Sequence, residues 1–371
     1  MSLTAVILVG GEGTRLRPLT QRTPKPMLPL VDRPLIAYTF EHLKRYGVTN
    51  VVLSCGYLPT QIEEHYGSEA DGLSFEYKVE ESPLGTGGAI AFGAQGIAET
   101  FLAVNGDSLR GADLGALIDF HRAKGAQATI LLTPVADPSR YGLVRLAADG
   151  RVTGFLEKPR PDEIDTDLIN AGVYVLEPEV LELVPPGQMV SIERDVFPRL
   201  VEQGACYGLA LPGYWLDVGT PESYLQAHRD VLERNVPSDV GDALGRDYMT
   251  VHPSAQVSET ARLVPPVVVG PDAVIEAGVR VGSLAVIGAG ARVGEGSVVE
   301  YAVVQAAADL GSGCIVLGSI IGERATLGPG CQVSGLSVVG PGARVGEANT
   351  LDGGLRIAAD AEIPPRALSF A

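Results

Sequence analysis

The sequence predicts an α/β domain with a mostly parallel sheet, followed by a parallel β-helix. From residue 1 to about residue 235, short apolar runs alternate with helical patterns, which is typical of a sheet built mainly from parallel strands. From Val251 onward, aliphatic residues recur at every sixth position, which is the pattern of a hexapeptide β-helix. The composition also changes there, because residues 251–371 contain no lysine and a single tyrosine, Tyr301.

Local patterns place the elements of the first region. Apolar runs predict strands at Thr4–Val9, Val51–Ser54, Phe75–Val79, Phe101–Val104, Ala128–Leu132 and Gly172–Leu176. Helical periodicity predicts helices at Leu35–Tyr46 and Leu114–Ala123. Asp32 is suited to cap the first of them, with Pro34 in its first turn. Ligands of such sheets gather at the carboxyl ends of the strands, so residues that follow these strands are candidates for a binding site.

Twenty aliphatic anchors define the β-helix. They are Val251, Val257, Leu263, Val269, Ile275, Val281, Ile287, Val293, Val299, Val304, Leu310, Val316, Ile321, Leu327, Val333, Val339, Val345, Leu351, Ile357 and Ile363. The register slips by one residue before Val304 and again before Ile321. Three hexads complete one coil, and each anchor is predicted to point into the core. The chain is therefore predicted to consist of a first domain at 1–235, a linker at 236–250 and a β-helix domain at 251–371.

Composition and charge restrict the class of protein. The chain carries 45 acidic and 28 basic residues, a net charge of −17, whereas proteins that bind nucleic acid or anionic membranes normally have the opposite sign. No apolar run approaches the roughly 20 residues that a membrane span needs. The four cysteines lack metal-binding spacing and indicate buried thiols in a reducing compartment. We expect a cytoplasmic protein that binds neither nucleic acid nor membranes.

A glycine turn follows the first predicted strand. Gly10, Gly11 and Gly13 lie within four residues, and successive backbone N–H groups in such a turn can hold an anion. Four cations and no acidic residue stand between Gly13 and Pro29, namely Arg15, Arg17, Arg22 and Lys25. The run matches neither the dinucleotide fingerprint nor the P-loop. It predicts a polyphosphate site of another kind.

Two aspartates are candidates for binding a divalent metal. Asp107 follows the apolar run that ends at Val104, and Asp217 lies in a glycine-containing loop before a helix that is predicted to begin near Pro221. Mg²⁺ prefers carboxylate oxygens together with substrate phosphates. An aspartate at a strand end also commonly caps a helix, so the two residues by themselves leave both interpretations open.

The run G-G-x-G-T-R-L-x-P-x-T at Gly10–Thr20, followed by P-K-P at Pro24–Pro26, resembles the signature of the sugar-1-phosphate nucleotidyltransferases. These enzymes join a nucleoside triphosphate to a sugar phosphate and release pyrophosphate. The resemblance implies a Rossmann-like nucleotidyltransferase domain and a left-handed β-helix. It also implies the catalytic residues, which are Arg15 at the triphosphate, Lys25 at the reacting phosphates, and Asp107, which holds Mg²⁺ together with Asp217.

The same resemblance assigns the substrate contacts. The implied nucleotide-binding residues are Gly10, Gly11, Gly13, Thr14, Arg15, Glu80, Gly85 and Thr86. The implied sugar-phosphate-binding residues are Gly142, Glu157, Lys158 and Asn170. Lys25-Pro26 and the segment Leu84–Gly88 are most similar to those of guanylyltransferases that act on mannose-1-phosphate. GTP and mannose-1-phosphate are thus the expected substrates, and a thymidylyl-, uridylyl- or adenylyltransferase of glucose-1-phosphate is the alternative.

Two other functions compete with this interpretation. An acyltransferase β-helix usually needs a histidine base on its coils, whereas the last histidine here is His252, at the first turn. A non-catalytic sensor of nucleotide sugars would lack the cation or metal positions, and this chain has them all.

The flat aliphatic faces of the β-helix predict a homo-oligomer that assembles through that domain.

Overall fold

The structure is a computed structural model that describes residues 3–56, 58–157 and 159–369, with Glu157 described by its backbone only. Its contacts divide the chain into two compact units. The first unit comprises Met1–Gly11 and Tyr38–Trp215, and the second comprises Glu12–Ala37 and Leu216–Ala371. We call the stretch from Gly13 to Pro29, which carries the four cations, the cationic segment. It belongs to the same unit as the β-helix. The division predicted from the sequence, at 1–235, 236–250 and 251–371, is continuous along the chain, whereas each unit of the structure combines two separate ranges.

The α/β part contains the strands and helices that its patterns predict, with additional short strands. In chain order the strands are β1 Leu3–Val9, β2 Val48–Cys55, β3 Glu69–Ala70, β4 Leu73–Val79, β5 Phe101–Asn105, β6 Ser108–Arg110, β7 Ala128–Pro134, β8 Gly142–Leu146, β9 Val152–Glu157, β10 Leu168–Leu176, β11 Cys206–Ala210 and β12 Trp215–Asp217. The helices are α1 Leu35–Arg45, α2 Thr60–Tyr66, α3 Gly85–Gly93, α4 Leu114–Lys124, α5 Phe197–Glu202, α6 Pro221–Leu232 and α7 Asp239–Ala243. A small hairpin, Pro29–Leu30 with Arg33–Pro34, precedes α1.

Within the described residues, ten strands of the first unit form one mixed sheet in the order β9-β8-β10-β5-β1-β2-β4-β3, with β7 paired to β10 and β11 paired to β7. The centre, β5-β1-β2-β4, is parallel, and β10 joins β5 in antiparallel orientation. Central parallel strands are covered on both faces, which explains why Phe101–Val104 is a continuous apolar run with no exposed residue. The carboxyl ends of β1 and β5 lie side by side, so the residues that follow them share one edge of the sheet.

The second unit contains the β-helix, which consists of three parallel sheets of short strands. The first sheet is Met249–Val251, Val267–Val269, Ala285–Ile287, Val303–Val304, Ile320–Ile321, Val338–Val339 and Arg356–Ile357; the second is Gln256–Val257, Val274–Ile275, Arg292–Val293, Asp309–Leu310, Thr326–Leu327, Arg344–Val345 and Glu362–Ile363; the third is Arg262–Leu263, Arg280–Val281, Val298–Glu300, Ile315–Leu317, Gln332–Val333 and Thr350–Leu351. All twenty predicted anchors belong to its apolar core. Ile287 pairs with Val304 and Val304 with Ile321, which confirms both register slips.

The predicted linker, residues 236–250, is an ordered segment that contains α7. Ser238 caps this helix by accepting a hydrogen bond from the Gly241 N–H, and Val240 and Leu244 are buried. No helix in the described part of the chain combines the length and the apolar character that a bilayer crossing requires.

Candidate functional site

Lys25 is a buried lysine that faces a carboxylate. Its residue exposure is 5%, and its Nζ lies 3.3 Å from Oδ1 of Asp217. The backbone that presents it is a tight turn, in which Met27 N donates to Pro24 O and Leu28 N to Lys25 O. Pro24 and Pro26 restrict φ on both sides of the lysine. The P-K-P motif thus holds the ammonium group in place before any ligand arrives.

Arg15 approaches the other oxygen of the same carboxylate. Its Nη2 lies 3.5 Å from Oδ2 of Asp217, and its side chain is 66% exposed. We call Arg15, Lys25 and Asp217 the cation cluster. A Cβ at Gly219 would lie 2.6 Å from Arg15 Nη2, so the glycine two residues after Asp217 leaves the space for the guanidinium. The cluster therefore presents one buried and one solvent-open cation to an anionic ligand.

Gly13 lies close to Thr20 and to Lys25 of this cluster. Its φ is +60°, and a Cβ at this position would lie 3.0 Å from Thr20 Cγ2 and 3.2 Å from Lys25 Cβ. Thr20 Oγ1 donates to Gly13 O at 2.8 Å, and Thr14 begins a short 3₁₀ turn. Only glycine tolerates both the left-handed backbone and the close approach.

In the first unit, Gly10 and Glu80 lie together at the carboxyl edge of the parallel strands. A Cβ at Gly10 would meet Gly56 N at 3.6 Å and Glu80 Oε1 at 3.7 Å, whereas a Cβ at Gly11 would meet nothing within 4 Å. The Glu80 carboxylate accepts hydrogen bonds from Ser54 Oγ and from Leu84 N, both at 3.1 Å. In the structure, this carboxylate therefore holds the loop after β4. The contact of Glu80 with a nucleotide stays a prediction.

Asp107 stands in the turn between β5 and β6, close to the end of β1. Gly106 N donates to Leu8 O at 3.0 Å, and a Cβ at Gly106 would lie 2.9 Å from that oxygen. Gly106 is therefore what allows the turn to approach β1. Asp107 is placed two residues after β5, beside the strand that leads to the first glycines.

Arg110 is a residue that motif reasoning missed. It is buried, and its Nη2 donates to Asn105 O at 2.7 Å and to Ser108 Oγ at 2.6 Å. Burial lowers the pKa of its guanidinium to about 10, and the negative charge of Asp107 opposes this shift. Arg110 therefore braces the turn that carries Asp107. No local sequence pattern predicts this role, because a single arginine after a strand end is usually a surface residue.

Gly85 and Thr86 begin α3 and pack against a later segment of the chain. Gly85 has φ +70°, and a Cβ there would lie 2.6 Å from Val190 O. The Thr86 hydroxyl donates to Glu193 Oε2 at 2.7 Å and accepts from Ile192 N at 2.9 Å. Because these contacts already engage the hydroxyl group, Thr86 in this arrangement offers a ligand mainly its backbone.

Asn170 belongs to the same network through Tyr174. Asn170 Nδ2 donates to Tyr174 Oη at 2.8 Å, and Tyr174 Oη donates to Glu193 Oε1 at 3.4 Å. Glu193 thus connects Thr86, a predicted nucleotide contact, with Asn170, a predicted sugar-phosphate contact. Gly172, two residues after Asn170, comes so close to Asn105 that a Cβ would lie 2.6 Å from its Nδ2. Gly172, which lies within β10, therefore packs against the end of β5, which leads to Asp107.

Two of the remaining sugar-phosphate candidates, Gly142 and Glu157, lie on β8 and β9. Gly142 and Glu157 are register partners in this antiparallel pair. The side chain of Glu157 and the whole of Lys158 lie outside the described residues, so their predicted roles stay predictions. Among the described side chains, no group of three or more His, Cys, Asp or Glu could hold a metal ion.

Comparison with known families and proteins gives consistent results. Residues 4–234 match the family profile described as nucleotidyl transferase, and residues 272–359 match the GMPPB C-terminal domain. A mannose-1-phosphate guanylyltransferase of Mycobacterium tuberculosis is 43% identical over 280 residues, which cover 74% of this chain and 77% of that protein. A probable mannose-1-phosphate guanylyltransferase 1 of Oryza sativa is 36% identical over 292 residues, which cover 75% and 79%.

Solved structures resemble between 61% and 65% of the chain. HddC from Yersinia pseudotuberculosis, crystallised with GMP-PN, has a TM-score of 0.53 at 30% identity, over 61% of this chain and 97% of that one. A putative glucose-1-phosphate thymidylyltransferase from Bacillus anthracis has a TM-score of 0.58 at 24% identity, over 65% of this chain and 99% of that one. The second likeness concerns the fold alone.

Proposed function

The chain belongs to the nucleotidyl transferase family, and we propose that it transfers GMP from GTP to mannose-1-phosphate, releasing pyrophosphate and forming GDP-mannose. The single observation that carries the reaction class is the cation cluster, in which a buried lysine and an exposed arginine follow a glycine turn. The relatives named as mannose-1-phosphate guanylyltransferases support the choice of substrates. The structure with GMP-PN supports a guanine nucleotide.

The chemistry requires charge neutralisation more than proton transfer. A phosphate oxygen of the sugar phosphate attacks the α-phosphorus of GTP, and the bond between that phosphorus and the oxygen bridging to the β-phosphate breaks. The nucleophile has a second pKa of about 6 and is already largely ionised at pH 7, so no general base is needed. Pyrophosphate departs with the bonding electrons and gains negative charge. Cations placed in advance stabilise that charge.

Lys25 and Arg15 have different roles in this proposal. Lys25 is held by its prolines and its carboxylate partner, so it presents a fixed charge to the reacting phosphates. Arg15 is mostly exposed and carries the planar guanidinium that suits a departing pyrophosphate. The glycines at positions 10, 11 and 13 let the backbone N–H groups approach the phosphates.

A divalent metal completes the proposal. Mg²⁺ binds one or two carboxylates together with substrate phosphates, and the one-quarter-exposed Asp217 carboxylate is a suitable oxygen donor. Asp107 and Asp217 would hold the ion. When bound, Mg²⁺ neutralises the polyphosphate and fixes its geometry. The turn that carries Asp107 fits this task because Arg110 holds it through Asn105 O and Ser108 Oγ.

Two further properties belong to the proposal. Four buried free thiols, Cys55, Cys206, Cys314 and Cys331, support a reducing, cytoplasmic location. Exposed aliphatic residues on the third sheet of the β-helix, Ile315 and Leu317, support association with a second copy of the chain.

The test is pyrophosphate release in the presence of Mg²⁺. Each of GTP, ATP, UTP and dTTP is combined with mannose-1-phosphate and with glucose-1-phosphate. We expect the highest kcat/KM for GTP with mannose-1-phosphate and no release in excess EDTA. A preference for dTTP, UTP or ATP with glucose-1-phosphate would overturn the substrate assignment and keep the reaction class. Absence of release with all pairs would overturn the reaction class.

A further inference from the structure

One row of side chains on the first sheet of the β-helix changes character at its last strand. Side chains of a strand alternate between its two faces, so the neighbours of the inward anchors point outward. The outward row contains Val268, Val286, Val303, Ile320 and Val338, all of which are buried. Its next member, paired in register with Val338, is Arg356.

The guanidinium of Arg356 binds the cationic segment. Its Nη1 donates to the carbonyl oxygen of Arg15 at 2.9 Å and to that of Arg17 at 3.1 Å. These carbonyls flank Leu16, whose own N–H donates to Gly13 O. One side chain of the β-helix thus holds the short turn that follows the glycines.

Two neighbouring contacts extend this attachment. Ala359 N donates to Gln21 Oε1 at 3.0 Å, and Arg22 forms an ion pair with Asp360. Together with Arg356, they connect residues 356–360 of the β-helix to Arg15, Arg17, Gln21 and Arg22. A separate pair of hydrogen bonds connects the end of the same segment to the β-helix. Tyr224 donates to Pro29 O and also accepts from Gln305 Nε2.

Arg15 is therefore held at both ends. Its backbone carbonyl is held by Arg356, and its guanidinium lies against Asp217. We propose that Arg356 is a positioning residue for nucleotidyl transfer, which acts by fixing the backbone from which Arg15 reaches the pyrophosphate. This inference rests on the proposed function, and it gives the β-helix a direct task in the reaction.

Three variants test the role of Arg356. Arg356→Met keeps much of the side-chain stem and removes the donors, and Arg356→Lys restores a cationic donor. Arg344→Met is the matched control, because Arg344 begins the strand Arg344–Val345 of the second sheet. It is 73% exposed and is paired only with Glu362 in the described structure, at 3.5 Å. Both Met variants remove one positive charge from the last coils.

Kinetics and hydrogen exchange provide independent measurements. We expect Arg356→Met to lower kcat for pyrophosphate release by about 10- to 100-fold, because small misplacements of a catalytic group cost this much. The KM for the sugar phosphate should change little, and Arg356→Lys should recover part of kcat. Amides of residues 14–22 should exchange faster in Arg356→Met than in Arg344→Met. The midpoint of thermal unfolding should be similar in the two Met variants.

Several outcomes would overturn the proposal. Equal kcat in Arg356→Met and Arg344→Met would do so, as would equal exchange of residues 14–22. A loss of activity that disappears at a lower temperature, where every variant is folded, would indicate a structural role. If the wild-type chain releases no pyrophosphate from any substrate pair, the proposed function fails, and the exchange measurement still decides whether Arg356 holds the segment.

Discussion

The ammonium of Lys25 lies 3.3 Å from the carboxylate of Asp217, 192 residues later in the chain. Lys25 is buried and its partner is only one-quarter exposed, so each group supplies the counter-charge of the other. A buried ammonium without such a partner is costly. Asp217 therefore stabilises the fold locally in addition to its proposed contact with Mg²⁺.

Asp217→Asn should separate the two tasks of this carboxylate. The free energy of unfolding should fall by about 1–3 kcal/mol, because Lys25 loses its charged partner. Turnover should fall by about 100-fold or more, because charge stabilisation at the polyphosphate is lost. Urea unfolding and pyrophosphate release measure the two effects.

The double variant Lys25→Met/Asp217→Asn is the control. It should regain stability relative to Asp217→Asn, because the buried ammonium is removed together with the carboxylate that faces it, and it should stay inactive. Strictly additive losses of stability would contradict the coupling of these two residues.

Gly13→Ala should destabilise the glycine turn. The positive φ costs a non-glycine residue about 1–2 kcal/mol, and the added methyl group would press on Thr20. Gly11→Ala is the comparison, because the space around a Cβ at Gly11 is open. We expect a lower midpoint of thermal unfolding for Gly13→Ala and a nearly unchanged one for Gly11→Ala. Equal midpoints would show that the turn relaxes without cost.

Stability should decrease when the pH falls below the ordinary pKa of histidine, and His228 should carry part of this effect. Burial lowers the pKa of His228 to about 3, from 6.5. Val31 N donates to its Nδ1, so protonation of that nitrogen would break a buried hydrogen bond. The unfolded chain then binds more protons than the folded chain between pH 6.5 and about 3. Each histidine of this type contributes a slope of up to about 1.4 kcal/mol per pH unit in that window.

His228→Asn should flatten this dependence by one proton, since the Asn side chain keeps an acceptor near the Nδ1 position and does not titrate. The exposed His65 provides the control variant His65→Asn. Urea unfolding at several pH values between 7 and 4 gives the slopes. An unchanged slope in His228→Asn would mean that folding does not lower the pKa of His228 in the wild-type protein. Some pH dependence should remain, because burial also lowers the pKa of His42, to about 4.

A chain that ends at Asn235 should lose turnover. It lacks Gln305, Arg356 and Asp360, which hold the cationic segment through Tyr224, Arg15 and Arg22. We expect rapid hydrogen exchange across residues 12–37 while circular dichroism still reports the α/β sheet. Full turnover in the shortened chain would show that the β-helix is dispensable. Light scattering on both chains tests the proposed self-association, and monomers in both cases would exclude it.

Much of the fold could be predicted from the sequence because its signals are local. The six-residue period identifies the inward side chain of each coil from near neighbours, and even the slips before Val304 and Ile321 are visible as missing residues. The parallel strands of the first unit are recognisable because burial on both faces makes them continuously apolar. The glycine turn and the P-K-P segment are also recognisable from the sequence, because each is a signal of a few adjacent residues.

Parts of the candidate site could not be predicted in this way. Arg110 and Glu193 carry no motif, and their importance comes from partners that the fold supplies. Glu80 and Thr86 were predicted from resemblance as nucleotide contacts, and the structure shows both holding loops through side-chain hydrogen bonds. Local pattern cannot distinguish a carboxylate that faces a ligand from one that caps a neighbouring loop.

The sequence by itself determined the two architectures, the cationic segment and the residue types for phosphate chemistry, because period, turn chemistry and charge are properties of short stretches. Only the tertiary structure decided that Asp217 partners Lys25, and that Arg356 reaches the backbone of Arg15 across 341 residues. The physical reason is that a hexapeptide repeat specifies which side chain points inward. It does not specify which outward side chain meets a distant loop, since that depends on how many coils separate them.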